Sequence, residues 1–224
     1  MNSDILAYLQ HYQHLGLTPI PLCAPKPEGS CLQHGTDCPH PGKRPLVRWR
    51  NGWNPTAEEL EQPNSKGCNW GVRCGPELAA WDFDATGAFH RFLQVHPEVN
   101  SWPRTRTGRG FDLWVRPKKP VRSQRLDGVE VRCLGSYIVA PPSIHPTGTP
   151  YTFEIAPKGV LPEIDLEELL CPGRIDSSAN LGGYESIRHA APSDFALRYG
   201  KSAYPQTMQV VESLEAESWV DFDR

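Results

Sequence analysis

The chain of 224 residues has no run of eighteen apolar residues, and its N-terminus has no basic stretch leading into an apolar core. The first absence excludes a membrane-spanning helix and the second a secretory leader, so no membrane partner and a cytoplasmic setting, bacterial or host, are expected. Net charge is also scarce, at -3 from 23 basic and 26 acidic residues. That balance excludes a strong global attraction to nucleic acid, so any nucleic-acid surface must be a local basic stripe. An even set of cysteines is lacking too. Seven thiols without a leader argue against a disulfide framework and for reduced or metal-bound sulfur. No internal repeat is present.

Proline and glycine are plentiful, at 23 and 19 residues, which implies short elements joined by ordered turns. With 38% hydrophobic and 22% charged residues the composition is globular. Helical spacing covers "SDILAYLQHYQHL" at 3–15, stopped by Gly16, and "LTPIPL" reads as a strand. A short helix opens at Thr56 with Glu59 three residues on. Strands are expected in "NWGVRCG", "LAAWDFD", "YTFEIA" and twice in "LDGVEVRCLGSYIVAPPS". Further helices are expected in "ATGAFHRFLQVHP" and "IDLEELL", and a hairpin in "RTRTGRGFDLWVRP". The class is α+β, with one domain over 1–172 and a linker with a terminal helix over 173–224.

The stretch "AAWDFDATG" carries Asp82 and Asp84 at strand spacing i, i+2, hence on one face. Two carboxylates so placed can hold a hard divalent ion, Mg²⁺ or Mn²⁺, as nucleotidyl transfer requires. Glu130, between Val129 and Val131, points away from their apolar face and offers a third acid. A D-x-D alone equally describes a solvated strand end. Arg104, Arg106 and Arg109 in "RTRTGRG" are either phosphate contacts or exposed hairpin cations. Ser143 and His145 in "APPSIHPTG" either form a structural turn or face a phosphate. In "GKRPLVRW", Lys43, Arg44 and Arg48 with Trp49 either track a nucleic-acid strand with Trp49 stacking, or leave Trp49 in the core beneath a solvated face.

"PLCAPKPEGSCLQHGTDCPHPGKRP" holds Cys23, Cys31, His34, Cys38 and His40, spaced C-x7-C-x2-H-x3-C with one extra histidine. A loop over 23–45 without hydrophobic periodicity either simply carries reduced thiols or is ordered by a structural zinc ion. The density of ligand types favours zinc on Cys23, Cys31, His34 and Cys38, with His40 as the substitute. Trp53, Trp70, Trp81 and Tyr137 read as core, and Cys68, Cys74, Cys133 and Cys171 as idle thiols. His11, His14, His90 and His96 read as helix-surface residues.

In order, "GLTPIPL", "PGKRPLVRW", "NWGVRCG", "AAWDFD", "TRTGRGFDLWV", "GVEVR" and "GSYIVAPPSIHPTGTPYTF" resemble the N-terminal domain of bifunctional DNA primase-polymerases, within the archaeo-eukaryotic primase superfamily. The resemblance implies a largely antiparallel, RRM-like sheet with flanking helices and an N-terminal α/β unit. It further implies a DNA primase and polymerase of a phage or plasmid replicon, working on single-stranded DNA template and nucleoside triphosphates, with a replicative helicase as a partner. Asp82, Asp84 and Glu130 would hold the catalytic metals, and Arg104, Arg109, Ser143 and His145 would contact triphosphate. The family usually has a histidine after the glycines, where this chain has Asp112. Three readings follow: binding without efficient turnover, an inactivating substitution, or replacement of the lost contact by Arg109 and His145.

Overall fold

Helical spacing over 3–15 gives α1 (Ser3–His14). It stops because Gly16 adopts φ +75°, while the Leu17 and Gly16 amides donate to the Tyr12 and Gln13 carbonyls at 2.9 and 3.0 Å. This paired capping satisfies carbonyls the helix would otherwise orphan. The computed structural model describes residues 3–166 apart from 51, 66, 127 and 128. The linker and helix expected over 173–224, Cys171 and most of the helix expected at 164–170 lie outside the described residues.

Strand β1 (Pro19–Leu22) follows. Helix α2 (Ala57–Ser65) opens with a reciprocal capping box, in which the Thr56 amide donates to Glu59 Oε2 at 2.8 Å and the Glu59 amide to Thr56 Oγ1 at 3.2 Å. Then come β2 (Asn69–Arg73), β3 (Ala79–Phe83) and α3 (Thr86–Val95). The expected hairpin is β4 (Arg104–Arg106) and β5 (Phe111–Pro117). Beyond it lie β6 (Gln124–Leu126), β7 (Val129–Arg132), β8 (Tyr137–Ala140) and β9 (Thr152–Ile155). β6 was not legible in the sequence, because it is three residues long without alternation. Glu163–Ile164 form β10, parallel to β5, where the sequence predicts the start of a helix. Among the described residues no helix is long and apolar enough to cross a membrane.

The strands form a small sheet, β1-β2-β8, and a larger one in the order β6-β7-β3-β5-β4-β9 with β10 joined to β5. Every neighbouring pair except β5–β10 is antiparallel. The larger sheet therefore has two faces with different loads. Trp81, Phe83, Phe111, Leu113, Val115, Val129 and Val131 pack with Phe89 of α3 on one face. Ala80 and Trp114, on the other, pack with Trp70, Val72, Ile138 and Ala140 of the small sheet and with Leu9 and Tyr12 of α1. The acids share this second face, one strand step beyond its apolar part.

Candidate metal and nucleotide site

Register places the acids. Asp82 on β3 stands opposite Glu130 on β7 to one side and opposite Asp112 on β5 to the other. Thr105 on β4 continues the row beyond Asp112. Directly opposed residues on neighbouring strands share a face with Cα atoms about 4.5–5.5 Å apart, so one line across four strands carries Glu130, Asp82, Asp112 and Thr105. Asp84 lies exposed just past the end of β3, within electrostatic reach of Glu130.

Within that row Arg132 bridges two acids. Its Nε donates to Asp82 Oδ2 and its Nη2 to Glu130 Oε2, each at 2.9 Å. Burial opposes the guanidinium charge, but Asp82 and Glu130 outweigh it and raise the pKa above that of ordinary arginine. Glu130 is raised by burial and by repulsion from Asp82, against the lowering effect of Arg132. Asp112, only 3% exposed, is raised well above an ordinary carboxyl by burial and then by Asp82. Burial beside another carboxylate favours the protonated form of Asp112. Asp82 and Glu130 offer hard oxygen donors side by side, and a cation already sits between them. That donor set fits Mg²⁺ or Mn²⁺.

The hairpin turn after β4 closes over this row. The Thr107 hydroxyl accepts from the Gly110 amide at 3.0 Å, and the Thr86 hydroxyl donates to the Arg109 carbonyl at 3.2 Å. Both glycines are there for close approach. A Cβ on Gly110 would lie 1.7 Å from the Phe83 carbonyl oxygen, and one on Gly108 would lie 2.5 Å from the His145 ring. Arg109 is exposed at the tip. His145 Nδ1 lies 3.2 Å from the Thr147 amide and 2.8 Å from the Thr147 hydroxyl, so that edge of the ring is held by Thr147 and Nε2 is left as the free edge. Burial, then Lys43 and Arg109, hold that imidazole below its usual pKa, so it is neutral. Lys43 also acts electrostatically on Asp112.

Three of the candidate residues stand elsewhere. Arg104 lies on the α3 face, where its Nε pairs with Glu154 at 2.9 Å, its Nη1 donates to the Asn100 carbonyl at 2.7 Å and it covers the Phe89 ring. Strand alternation explains this, since Thr105 and not Arg104 is in register with Asp112. The Ser143 hydroxyl is buried and clamps β2, donating to the Trp70 carbonyl at 2.8 Å and accepting from the Trp70 amide at 2.7 Å. That hydroxyl is taken up by this structural role. Trp49 is 8% exposed, packs with Ile20 and Leu22, and meets Tyr137 edge-on at 5.3 Å. It belongs to the core, and Arg44 is left as an exposed cation beside Lys43.

Cys23, Cys31, His34 and Cys38 present ligand atoms within 4.8 Å of one another. Cys23 Sγ lies 3.7 Å from Cys38 Sγ, and Cys31 Sγ 3.2 Å from His34 Nδ1. Two sulfurs on one tetrahedral zinc ion stand about 3.8 Å apart, so the donor set fits Zn²⁺. His40 is outside the group; its carbonyl, not its ring, faces Cys23 Sγ at 3.6 Å. The loop is fastened to the loop that carries His145 by Asn69, whose Nδ2 donates to the Gly42 and Ile144 carbonyls at 3.0 and 2.7 Å. Cys68, Cys74 and Cys133 are free and buried. Sequence reasoning missed Arg132 and Asn69. Arg132 was legible as the residue two after Glu130 on one strand face; Asn69 carried no local signal.

The family model for the bifunctional DNA primase/polymerase N-terminal domain matches residues 6–168. No curated protein matches the chain.

Proposed function

The chain belongs to the bifunctional DNA primase/polymerase N-terminal family, and from that premise we propose that it joins nucleoside triphosphates on a single-stranded DNA template. The observation that carries this reading is the side-by-side placement of Asp82 and Glu130 on adjacent strands, with Asp84 one step further on. Asp82, Asp84 and Glu130 are assigned to hold Mg²⁺ or Mn²⁺. When bound, such ions activate the attacking 3′ hydroxyl and stabilise the leaving pyrophosphate.

The other roles fall to the residues around the row. His145 turns its free Nε2 edge to a phosphate oxygen, and Arg109 and Lys43 supply positive charge. Arg44 extends that charge toward the template backbone. Asp112 stands where the family's histidine would donate to phosphate; as a neutral acid it adds no full charge against the triphosphate. Zinc on Cys23, Cys31, His34 and Cys38 orders the loop that carries Lys43. We read the larger sheet as RRM-like, because β7-β3-β5-β4 with α3 in the crossover follows the order 4-1-3-2 of that fold. The catalytic domain is assigned to 1–172, in a replicon of phage or plasmid type.

One observation favours a second reading, a nucleotide- and DNA-binding module with impaired turnover. Asp112 is buried against Asp82 and presents no donor of histidine's reach. Primer extension and dinucleotide synthesis with Mg²⁺ or Mn²⁺, on the chain and on Asp82→Ala and Asp112→His, separate the two. Activity lost in Asp82→Ala supports catalysis. Absence of activity in the chain and in Asp112→His, with DNA binding intact, supports the binding module.

A further inference from the structure

We propose that Arg132 is a positioning residue that keeps a lone divalent cation off Asp82 and Glu130 and admits it together with the triphosphate. This rests on the metal-dependent reading above. The Arg132 guanidinium bridges Asp82 Oδ2 and Glu130 Oε2 at 2.9 Å each. Each carboxylate keeps a second oxygen, but the lone pairs that accept from Arg132 are closed to a cation and the guanidinium charge beside them repels it. A lysine or histidine could yield by losing its proton, but a guanidinium keeps its charge. Its partners are therefore freed only when the side chain rotates away.

The direction of that rotation follows from charge. Swung toward water, Arg132 gives up two charge-assisted hydrogen bonds and gains only hydration. A triphosphate beside the acid row changes this, because its oxygens accept the same planar fork that the two carboxylates held. A metal–triphosphate complex carries net negative charge, so it attracts the guanidinium it displaces, whereas a bare divalent ion repels it. The Arg132 side chain is 30% exposed and stands opposite Ala80 on the acid face, so it reaches water without unfolding the sheet. The consequence is coupled binding, in which metal and nucleotide each strengthen the other through one side chain.

The test is Mn²⁺ binding to the full chain, read from the electron paramagnetic resonance of free Mn²⁺, with and without a non-hydrolysable triphosphate analogue. Binding that survives Asp82→Ala is subtracted. Without the analogue, Arg132→Gln is expected to bind Mn²⁺ on the order of tenfold more tightly than wild type, and the analogue's strengthening of Mn²⁺ binding is expected to shrink by a similar factor. Arg132→Lys, which keeps the charge but not the fork, should fall between. Should Arg132→Gln fail to fold, Arg132→Lys carries the measurement alone, and Mn²⁺ binding no tighter than wild type in that variant overturns the inference. Equal or weaker Mn²⁺ binding in the glutamine variant overturns the inference alone. No Asp82-dependent Mn²⁺ binding in any variant, even with the analogue, overturns it together with the metal-dependent reading.

Discussion

Asp112 on β5 lies directly opposite Asp82 on β3, so two carboxyls share one row of the sheet with Glu130. Asp112 is buried, and burial and Asp82 together raise its pKa well above the ordinary value. In the unfolded chain it titrates as an ordinary aspartate, so above that pKa folding is linked to proton uptake. The stability it contributes is present in full below the unfolded pKa and is lost as pH rises toward the folded one. Asp112→Asn removes that loss. In chelator-treated protein the asparagine variant should be the more stable by about 1–3 kcal/mol at pH 8, with the gap closing toward pH 4. Urea midpoints at the two pH values check it, and a constant gap would show that Asp112 is ionised throughout.

The two glycines of the hairpin turn should respond differently to alanine. At Gly110 the new Cβ meets the Phe83 backbone at 1.7 Å, and backbone cannot step aside. Gly110→Ala should cost more than about 3 kcal/mol, beyond ordinary overpacking, or prevent folding. At Gly108 the new Cβ meets the His145 ring, which can swing away. Gly108→Ala should therefore keep most of its stability and lose triphosphate affinity, since it moves the His145 ring. Thermal melts beside a fluorescent nucleotide titration separate the two outcomes.

Much of this arrangement was legible before any fold was known, and what was not has physical reasons. The D-x-D spacing predicts a shared face for Asp82 and Asp84, though β3 ends at Phe83 and leaves Asp84 exposed past it; the valines around Glu130 gave its direction. Alternation along "RTRTGRG" was equally readable, yet Arg104 reads as a phosphate contact until register puts Thr105, not Arg104, beside Asp112. Register depends on the turn at 107–110 and on a bulge between Arg104 and Thr105 against β9, neither of which hydrophobic pattern encodes. Ser143 and Trp49 went the same way. Each looks available in sequence, and each is claimed by a distant strand, Ser143 by Trp70 and Trp49 by Tyr137. Arg132 is the reverse case, a strand arginine whose two partners lie on its own strand and the next one.

Zinc should be recoverable from the purified chain at one ion per molecule, and Cys31→Ser should abolish it. In the metal-free loop burial pushes the Cys23 thiol up to about 12, so ligation has to expel protons and zinc affinity should fall as pH falls. An ion held at a thousand times its dissociation constant contributes about 4 kcal/mol. For a domain of this size that is a Tm shift of roughly 8–16 °C. Elemental analysis and melts with and without a chelator measure both. A chain that carries no zinc and melts unchanged in chelator has no such site.

Asn69 should be the most costly single polar residue to remove outside the acid row. It is 4% exposed and uses its whole amide: Nδ2 donates to the Gly42 and Ile144 carbonyls at 3.0 and 2.7 Å, and Oδ1 accepts from the Ile144 amide at 3.0 Å. Those bonds tie the end of the Cys/His loop, next to Lys43, to the loop that carries His145. Asn69→Ala strands the buried partners at about 1–3 kcal/mol for each unsatisfied group, so a total near 2–4 kcal/mol is expected. Asn69→Asp keeps the shape and the acceptor but turns a carboxylate oxygen toward two carbonyls, so it should destabilise more than alanine does. In both variants Lys43 and His145 lose their common anchor, and triphosphate affinity should drop while zinc stays bound, because no zinc ligand touches Asn69. Urea unfolding, zinc content and nucleotide titration on the three proteins decide it. An aspartate variant as stable as wild type would mean that the two amide donors carry no weight.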